Sequence, residues 1–328
     1  MEAVTRIGLQ IPNFTYPDVA GEGLFDRITA IAQAAERSGF DSLWVMDHLY
    51  QIPSVGPRSD PMLDAYTLLG GIAARTERAR LGTMVTGVTY RNPAQLAKIV
   101  TTLDVVSRGR AILGIGAAWN EDEHRGYGFR FPPIRERLER LEEALQICRA
   151  MFREPAPSLA ERHYRIEAAL NEPRPLRPGG PPILVGGGGE RRLIPLVARY
   201  ADAWNVFGDL DTIRHKLSVL EQACERAGRD PAEITKTRLG ALVVAEDEAQ
   251  LERKLDALRA ARPIDEAQLR GYVLAGTPDR VVEQVEAFLD AGLDGMIFNL
   301  HDAHELEPVA LAGETLARTR LAREPLRR

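Results

Sequence analysis

Ser42-Leu43-Trp44-Val45-Met46-Asp47-His48 is the stretch whose reading decides the fold. Four apolar residues, Leu43 to Met46, run together and then stop at an acid and an imidazole. A short apolar run bounded in this way reads as a fully buried strand that ends at an open edge. In parallel α/β proteins ligands sit beyond the carboxyl ends of the strands, so Asp47 and His48 are the first candidates for chemistry.

Working outward, Arg6 to Pro12 reads as a preceding strand, and Leu24 to Ser38 as a helix with Phe25, Ile28, Ile31, Ala32 and Ala35 on one face. Gly39, able to take a positive φ, ends it just before the strand at Ser42. This is a βαβ unit with a short joint. The pattern then repeats. A helix from Asp64, its N-cap, to Thr76 leads to a strand Ala79–Val85, and Pro93 opens a helix to Ser107. A strand at Ala111–Ile115 precedes a long helix, Ile134 to Phe152.

Seven prolines between Arg153 and Pro182 interrupt the rhythm and suggest a short hairpin around His163 to Ile166. Because the alternation resumes at once, residues 153–182 read as an insertion before the fifth strand, not as a domain boundary. Strands at Ile183–Val185, Ala203–Val206, Ile234–Val244 and Gly295–Leu300 follow. Their helices are expected at Glu190–Tyr200, Thr212–Gly228, Glu248–Arg259, Pro278–Gly292 and Glu305–Leu321. The strands begin near 6, 42, 79, 111, 183, 203, 234 and 295, which predicts a single α/β domain over residues 1–328, a (β/α)8 TIM barrel. A doubly wound open sheet is the alternative. The segment 246–274 would then lie on the catalytic face as a lid.

Composition excludes several classes. With 45% apolar and 27% charged residues and a net charge of −5, the chain has no basic footprint for nucleic acid or an anionic membrane surface. Cys148 and Cys224 fall inside amphipathic helical patterns and read as buried small side chains. No leader pattern or apolar run near ~18 residues is visible, so a cytoplasmic location is expected.

The strand ends assemble the chemical inventory: Asn13, the Asp47-His48 pair, Met84, Val85 and Thr86, then Ala117, Trp119 and Asn120, Gly186 to Gly189, Phe207 and Asn299. The set is apolar and amide-rich. Gly186, Gly187, Gly188 and Gly189 precede a helix and form an anion seat, since glycines let backbone N–H groups approach a phosphate. Gly114-Ile115-Gly116 echoes a dinucleotide fingerprint, but Trp119 stands in the place of its third glycine and the strand is the fourth. His124, His163, His215, His301 and His304 show no metal-binding spacing, so no metal is expected, and His163 and His215 read as solvated. A GxSxG nucleophile elbow is absent.

Together the motifs GFDSLWVMDH, RARLGTMVTGVTYRNPAQLAK, SRGRAILGIGAAWNEDEHRGYG, PPILVGGGGERR and AGTPDRVVEQVEAFLDAGLDG resemble the bacterial luciferase-like superfamily. The resemblance is greatest to its oxidoreductases that use the deazaflavin coenzyme F420. It implies a homodimer built largely on the second and third helices and a cofactor at the strand ends. On this resemblance Asp47 and His48 match the pair beside the reactive ring, Met84-Val85 the bulge behind it, with Thr86 beyond, Ala117, Trp119 and Asn120 the loop along the cofactor's side chain, and Gly186 to Gly189 its phosphate end. Asn13, Phe207 and Asn299 are left for the substrate. Sugar-phosphate dehydrogenases of this class carry a Trp, a Glu and a Lys where this chain has Ile52, Trp119 and Leu210, which argues against a sugar phosphate as substrate.

The expected reaction is hydride transfer between F420 and a small organic molecule, with His48 handling a proton and Asp47 orienting it or bonding to the ring. Arg191 and Arg192, beside the glycine cluster, favour the poly-glutamyl tail of F420. An FMN-dependent monooxygenase with a partner reductase, and a non-catalytic cofactor-binding barrel, are the alternatives.

Overall fold

In the computed structural model, residues 3–19, 21–261 and 271–323 are described. Eight parallel strands close on themselves: β1 (Ile7–Ile11), β2 (Ser42–Val45), β3 (Arg80–Thr83), β5 (Ala111–Gly116), β8 (Ile183–Gly186), β9 (Ala203–Val206), β10 (Thr235–Val244) and β12 (Gly295–Asn299). The ring is sealed where β1 pairs with both β2 and β12, with Ile7 opposite Met296 and Gly8 opposite Ser42. The fold is therefore a TIM barrel, and the open-sheet alternative falls.

The opening stretch shows why. Leu43 and Val45 face outward into the layer between barrel and helices, while Trp44 points into the barrel with Ile112, Leu184, Leu239 and Ile297. Both faces of β2 are thus apolar, as its sequence required. Trp44 is fully buried, and the strands on either side make room for it. A Cβ on Gly8 or Gly82 would come within 2.8 or 2.7 Å of its ring. Burying so large a side chain contributes roughly 3 kcal/mol.

Most helices lie where periodicity put them: α1 (Gly21–Arg37), α2 (Ala65–Ala73), α3 (Pro93–Val106), α5 (Ile134–Arg153) and α7 (Leu210–Ala227). Asp64 caps α2 by accepting a hydrogen bond from the Thr67 N–H at 2.9 Å. The insertion carries a two-stranded antiparallel hairpin, β6 (Leu159–Ala160) with β7 (Arg165–Ile166).

Several boundaries need correction. α6 spans Leu193–Tyr200, because Glu190 to Arg192 form a turn after the glycines. A further helix, α4 (Glu121–Tyr127), occupies what reads as a polar loop, and β4 (Thr86–Gly87) extends the line of β3 against β5. The terminal helix divides into Glu307–Leu316 and Arg320–Arg323. Of the expected lid, residues 262–270 lie outside the described residues. On one flank α8 (Glu248–Ala261) packs Leu251 and Leu258 with Ala241, Val243 and Ala245; on the other β11 (Val273–Gly276) hydrogen-bonds to β10. Both flanks are anchored to the barrel.

Candidate active site

At the carboxyl end of β2 the two polar residues part company. Asp47 turns toward Arg91, which grips its carboxylate with two nitrogens at 2.5 and 3.1 Å and reaches Asp64 at 3.2 Å. Burial raises the Asp47 carboxyl pKa and Arg91 opposes that rise, while Thr86 donates a further hydrogen bond. Thr86 is itself tied to the Tyr66 hydroxyl at 2.7 Å and to Thr83 Oγ1 at 3.0 Å. This network joins the ends of β2, β3 and β4 to α2.

His48 takes the other direction. Its Nδ1 lies 2.7 Å from Oε1 of Glu123, a residue of α4 with no exposed surface. Glu123 also accepts from the Leu49 N–H at 2.6 Å and from the Tyr90 hydroxyl. Desolvation opposes its charge, but His48, Tyr90 and the Leu49 N–H outweigh it and hold the carboxyl below the usual Glu range. Trp119 meets the imidazole edge-on, with ring centroids 5.4 Å apart.

Between β3 and β4 the Met84–Val85 peptide is cis, and the chain there presses against glycines. A Cβ on Gly114 would come within 1.8 Å of the Thr83 carbonyl oxygen, and one on Gly116 within 2.9 Å of Val85. The Gln10 side chain donates to the Met84 carbonyl at 3.2 Å. These contacts explain why a glycine-rich strand, β5, lies beside the bulge.

His48, Met84, Val85, Thr86, Ala117, Trp119, Gly186, Gly187 and Phe207 converge on one cavity of about 270 Å3, together with Gly87, Tyr90, Gly116, Ala118, Leu193 and Asn205. Asp47 does not line it, and neither do Asn13, Asn120, Gly188, Gly189 or Asn299. Asn120 caps α4 instead, accepting from the Asp122 N–H at 3.2 Å. Asn299 is buried at the end of β12 and donates to the Tyr272 hydroxyl at 2.6 Å. Asn13 sits on the loop after β1, where its carbonyl accepts from Tyr16 at 2.9 Å.

The glycine cluster is partly committed to the fold. The Gly187 N–H donates to the Asn205 carbonyl at 3.0 Å, and Trp204 Nε1 donates to the Gly187 carbonyl at 2.8 Å. Lys216, on α7, supplies a cation that sequence reasoning missed. Its Nζ lies 2.8 Å from the Gly188 carbonyl and 2.7 Å from Glu190, which also meets His215 at 2.9 Å. Missed too were Glu123, Tyr90 and Arg91. His163, expected in solvent, has a side chain only 10% exposed and lies 3.1 Å from Glu139.

Among the described residues, arginine, lysine and carboxylate side chains are absent from the cavity lining, so the one imidazole faces a chamber of apolar and neutral polar groups. A planar ring would lie against Met84, Val85 and the glycines, within reach of His48, which suits redox chemistry better than hydrolysis. Among the described residues, no three His, Cys, Asp or Glu side chains converge as a metal site.

Comparison with known proteins agrees with this geometry. Residues 5–271 match the model of the luciferase-like monooxygenase family. An F420-dependent glucose-6-phosphate dehydrogenase of Nocardia farcinica is 33% identical over 306 residues, covering 82% of this chain and 86% of that protein. A phthiodiolone/phenolphthiodiolone dimycocerosates ketoreductase of Mycobacterium kansasii is 28% identical over 331 residues, covering 80% and 88%. In fold, the chain is similar to an F420-dependent secondary alcohol dehydrogenase solved with an F420-acetone adduct, at a TM-score of 0.79 and 18% identity over 98% of this chain and 99% of the other. The chain belongs to the luciferase-like monooxygenase family.

Proposed function

We propose that this protein is an F420-dependent oxidoreductase that transfers a hydride between the deazaflavin and a small uncharged organic substrate. The observation that carries the reading is His48, held by a buried carboxylate at the wall of a cavity otherwise lined by apolar, glycine and neutral polar residues. Support also comes from the F420-dependent dehydrogenase to which the chain is 33% identical.

The residues present fit such a coenzyme. Gly116 and Gly186 give a flat wall, since a Cβ on either would meet Val85 at 2.9 or 3.0 Å. Met84, Val85 and Ala117 would back the ring, Trp119 would flank its side chain, and Gly186 to Gly189 with Lys216 would receive the phosphate. Arg191 and Arg192, both exposed, would meet the anionic tail. F420 when bound supplies or accepts the hydride at its ring. His48 then holds or releases one proton beside the reacting carbon–oxygen group, and the apolar walls exclude water. Asp47 serves the ring end indirectly, by fixing Thr86 and Arg91.

Among the described residues the lining carries no cation, which also disfavours a phosphorylated substrate. The test is a fluorescence titration of the purified protein with F420 and with FMN. Binding of F420 with weak or no FMN binding is expected. Tight FMN binding without F420 binding would transfer the reading to an FMN-dependent monooxygenase that needs a reductase. In that titration His48→Ala should keep the ligand, and in a turnover assay it should lose activity; wild-type protein that binds F420 but turns over no substrate would point to a non-catalytic binding barrel.

A cytoplasmic homodimer joined through α2 and α3 completes the reading. Among the described residues no helix is long and apolar enough to cross a membrane. A monomer in light scattering would remove the dimer.

A further inference from the structure

Glu123 is a buried acid that neither the fold nor the hydride chemistry demands. α4 is short and highly charged, and its neighbours Glu121 and Asp122 are not buried. Only Glu123 and His124 turn inward, and Glu123 does so to meet donors from two other parts of the chain. Its Oε1 faces His48 Nδ1 and the Tyr90 hydroxyl, while its Oε2 faces the Leu49 N–H at 2.6 Å and the Tyr50 N–H at 3.4 Å.

We propose that Glu123 is the positioning residue for His48: its carboxylate holds the imidazole with the proton on Nδ1 and so presents Nε2 to the cavity. A carboxylate held below the usual Glu range accepts hydrogen bonds and donates none, so the nitrogen facing it must carry a proton. His48 lines the cavity, and Trp119 closes on the ring at 5.4 Å, so the imidazole is held from two sides. Nε2 is then the nitrogen that exchanges a proton with a ligand. The tautomer follows from the contact and the ionised state of Glu123, whereas an effect on turnover also requires the hydride-transfer reading above.

The Leu49 and Tyr50 N–H groups make the inference sharply testable. Backbone donors cannot reverse, so in Glu123→Gln the amide oxygen must face them and the amide NH2 must face His48. That NH2 donates to Nδ1 and drives the proton to Nε2. The substitution is nearly isosteric but inverts the tautomer.

The experiment is nitrogen-15 NMR of histidine-labelled protein without cofactor at about pH 9, with His48 assigned by its loss in His48→Ala. Wild type should show Nδ1 protonated, and E123Q the neutral Nε2–H form. A neutral Nε2–H imidazole in wild type overturns the proposal, and that spectrum decides even where E123Q does not fold. An unchanged tautomer in folded E123Q also overturns it.

With F420 and a turnover substrate, E123Q should lose on the order of 10–100-fold in kcat with little change in KM. In the His48→Ala background the same substitution should cost less than about twofold, because the residues act as one unit. An equal loss in both backgrounds would mean that Glu123 only ties α4 to the barrel. Absence of any F420 turnover would remove the hydride-transfer reading and leave the tautomer result standing.

Discussion

The two sides of the barrel mouth are built differently. On the side of β2, β3, β4 and β5, nearly every polar group has a protein partner: Arg91 with Asp47 and Asp64, Thr86 with Tyr66 and Thr83, and His48 and Tyr90 with Glu123. On the side of β8, β9 and β12 stand Gly186 and Gly187, Phe207 at 51% exposure, and Asn299, whose buried Oδ1 has no hydrogen-bond partner among the described residues. One side is braced before any ligand arrives. The other offers space and shape. A site that moves a hydride needs its proton-active group held within fractions of an ångström, whereas substrate recognition tolerates adjustment.

The largest way to break this contrast is at His48. His48→Ala should lower kcat by about 10²–10³-fold and leave F420 affinity within about threefold, read by steady-state kinetics and fluorescence titration. A comparable loss of affinity would instead make His48 part of the cofactor seat. Next in size is Arg91→Ala, which leaves Asp47 buried without its cation. Removing one partner of a buried pair should cost about 3 kcal/mol and lower the Tm of a chain this long by roughly 4 °C in a calorimetric scan. A change below 2 °C would show that the braced side does not depend on that pair.

That contrast also explains what could be read without the structure. The eight strands were legible because most are short, largely apolar runs covered on both faces, and Trp44 between Gly8 and Gly82 shows the packing behind it. β11 was hidden inside the presumed lid, since it extends β10 beyond the ring and obeys no repeat. α4 has seven residues and little apolar periodicity, so no pattern announced it. The open side, made of glycines and aromatics at strand ends, was largely visible. The braced side was not, because its partners meet across long sequence separations: Glu123 is 75 residues from His48 and 33 from Tyr90. Asp47 and His48 look like one motif, yet successive residues in extended chain face opposite ways, and here they enter separate networks.

On the open side, Lys216→Ala should weaken F420 binding by about tenfold, the worth of one charge-assisted hydrogen bond partly offset by the Glu190 contact it replaces. Raising the salt concentration should narrow the gap between variant and wild type. An unchanged affinity would confine Lys216 to its contacts with Gly188 and Glu190.

The smallest expected effect on the fold is at Phe207, and it separates the two sides most cleanly. Its ring lies 6.5 Å from that of Tyr272 and is half exposed, so it buries too little to hold the barrel together. Phe207→Ala should therefore change stability by less than about 0.5 kcal/mol in a urea titration. The same substitution removes an aromatic wall of the cavity, which on the proposed function meets the substrate, and KM should rise by roughly three- to tenfold, with kcat and F420 affinity nearly constant. A drop in kcat with KM unchanged would place Phe207 on the reactive side, and the division of labour across the mouth would have to be redrawn.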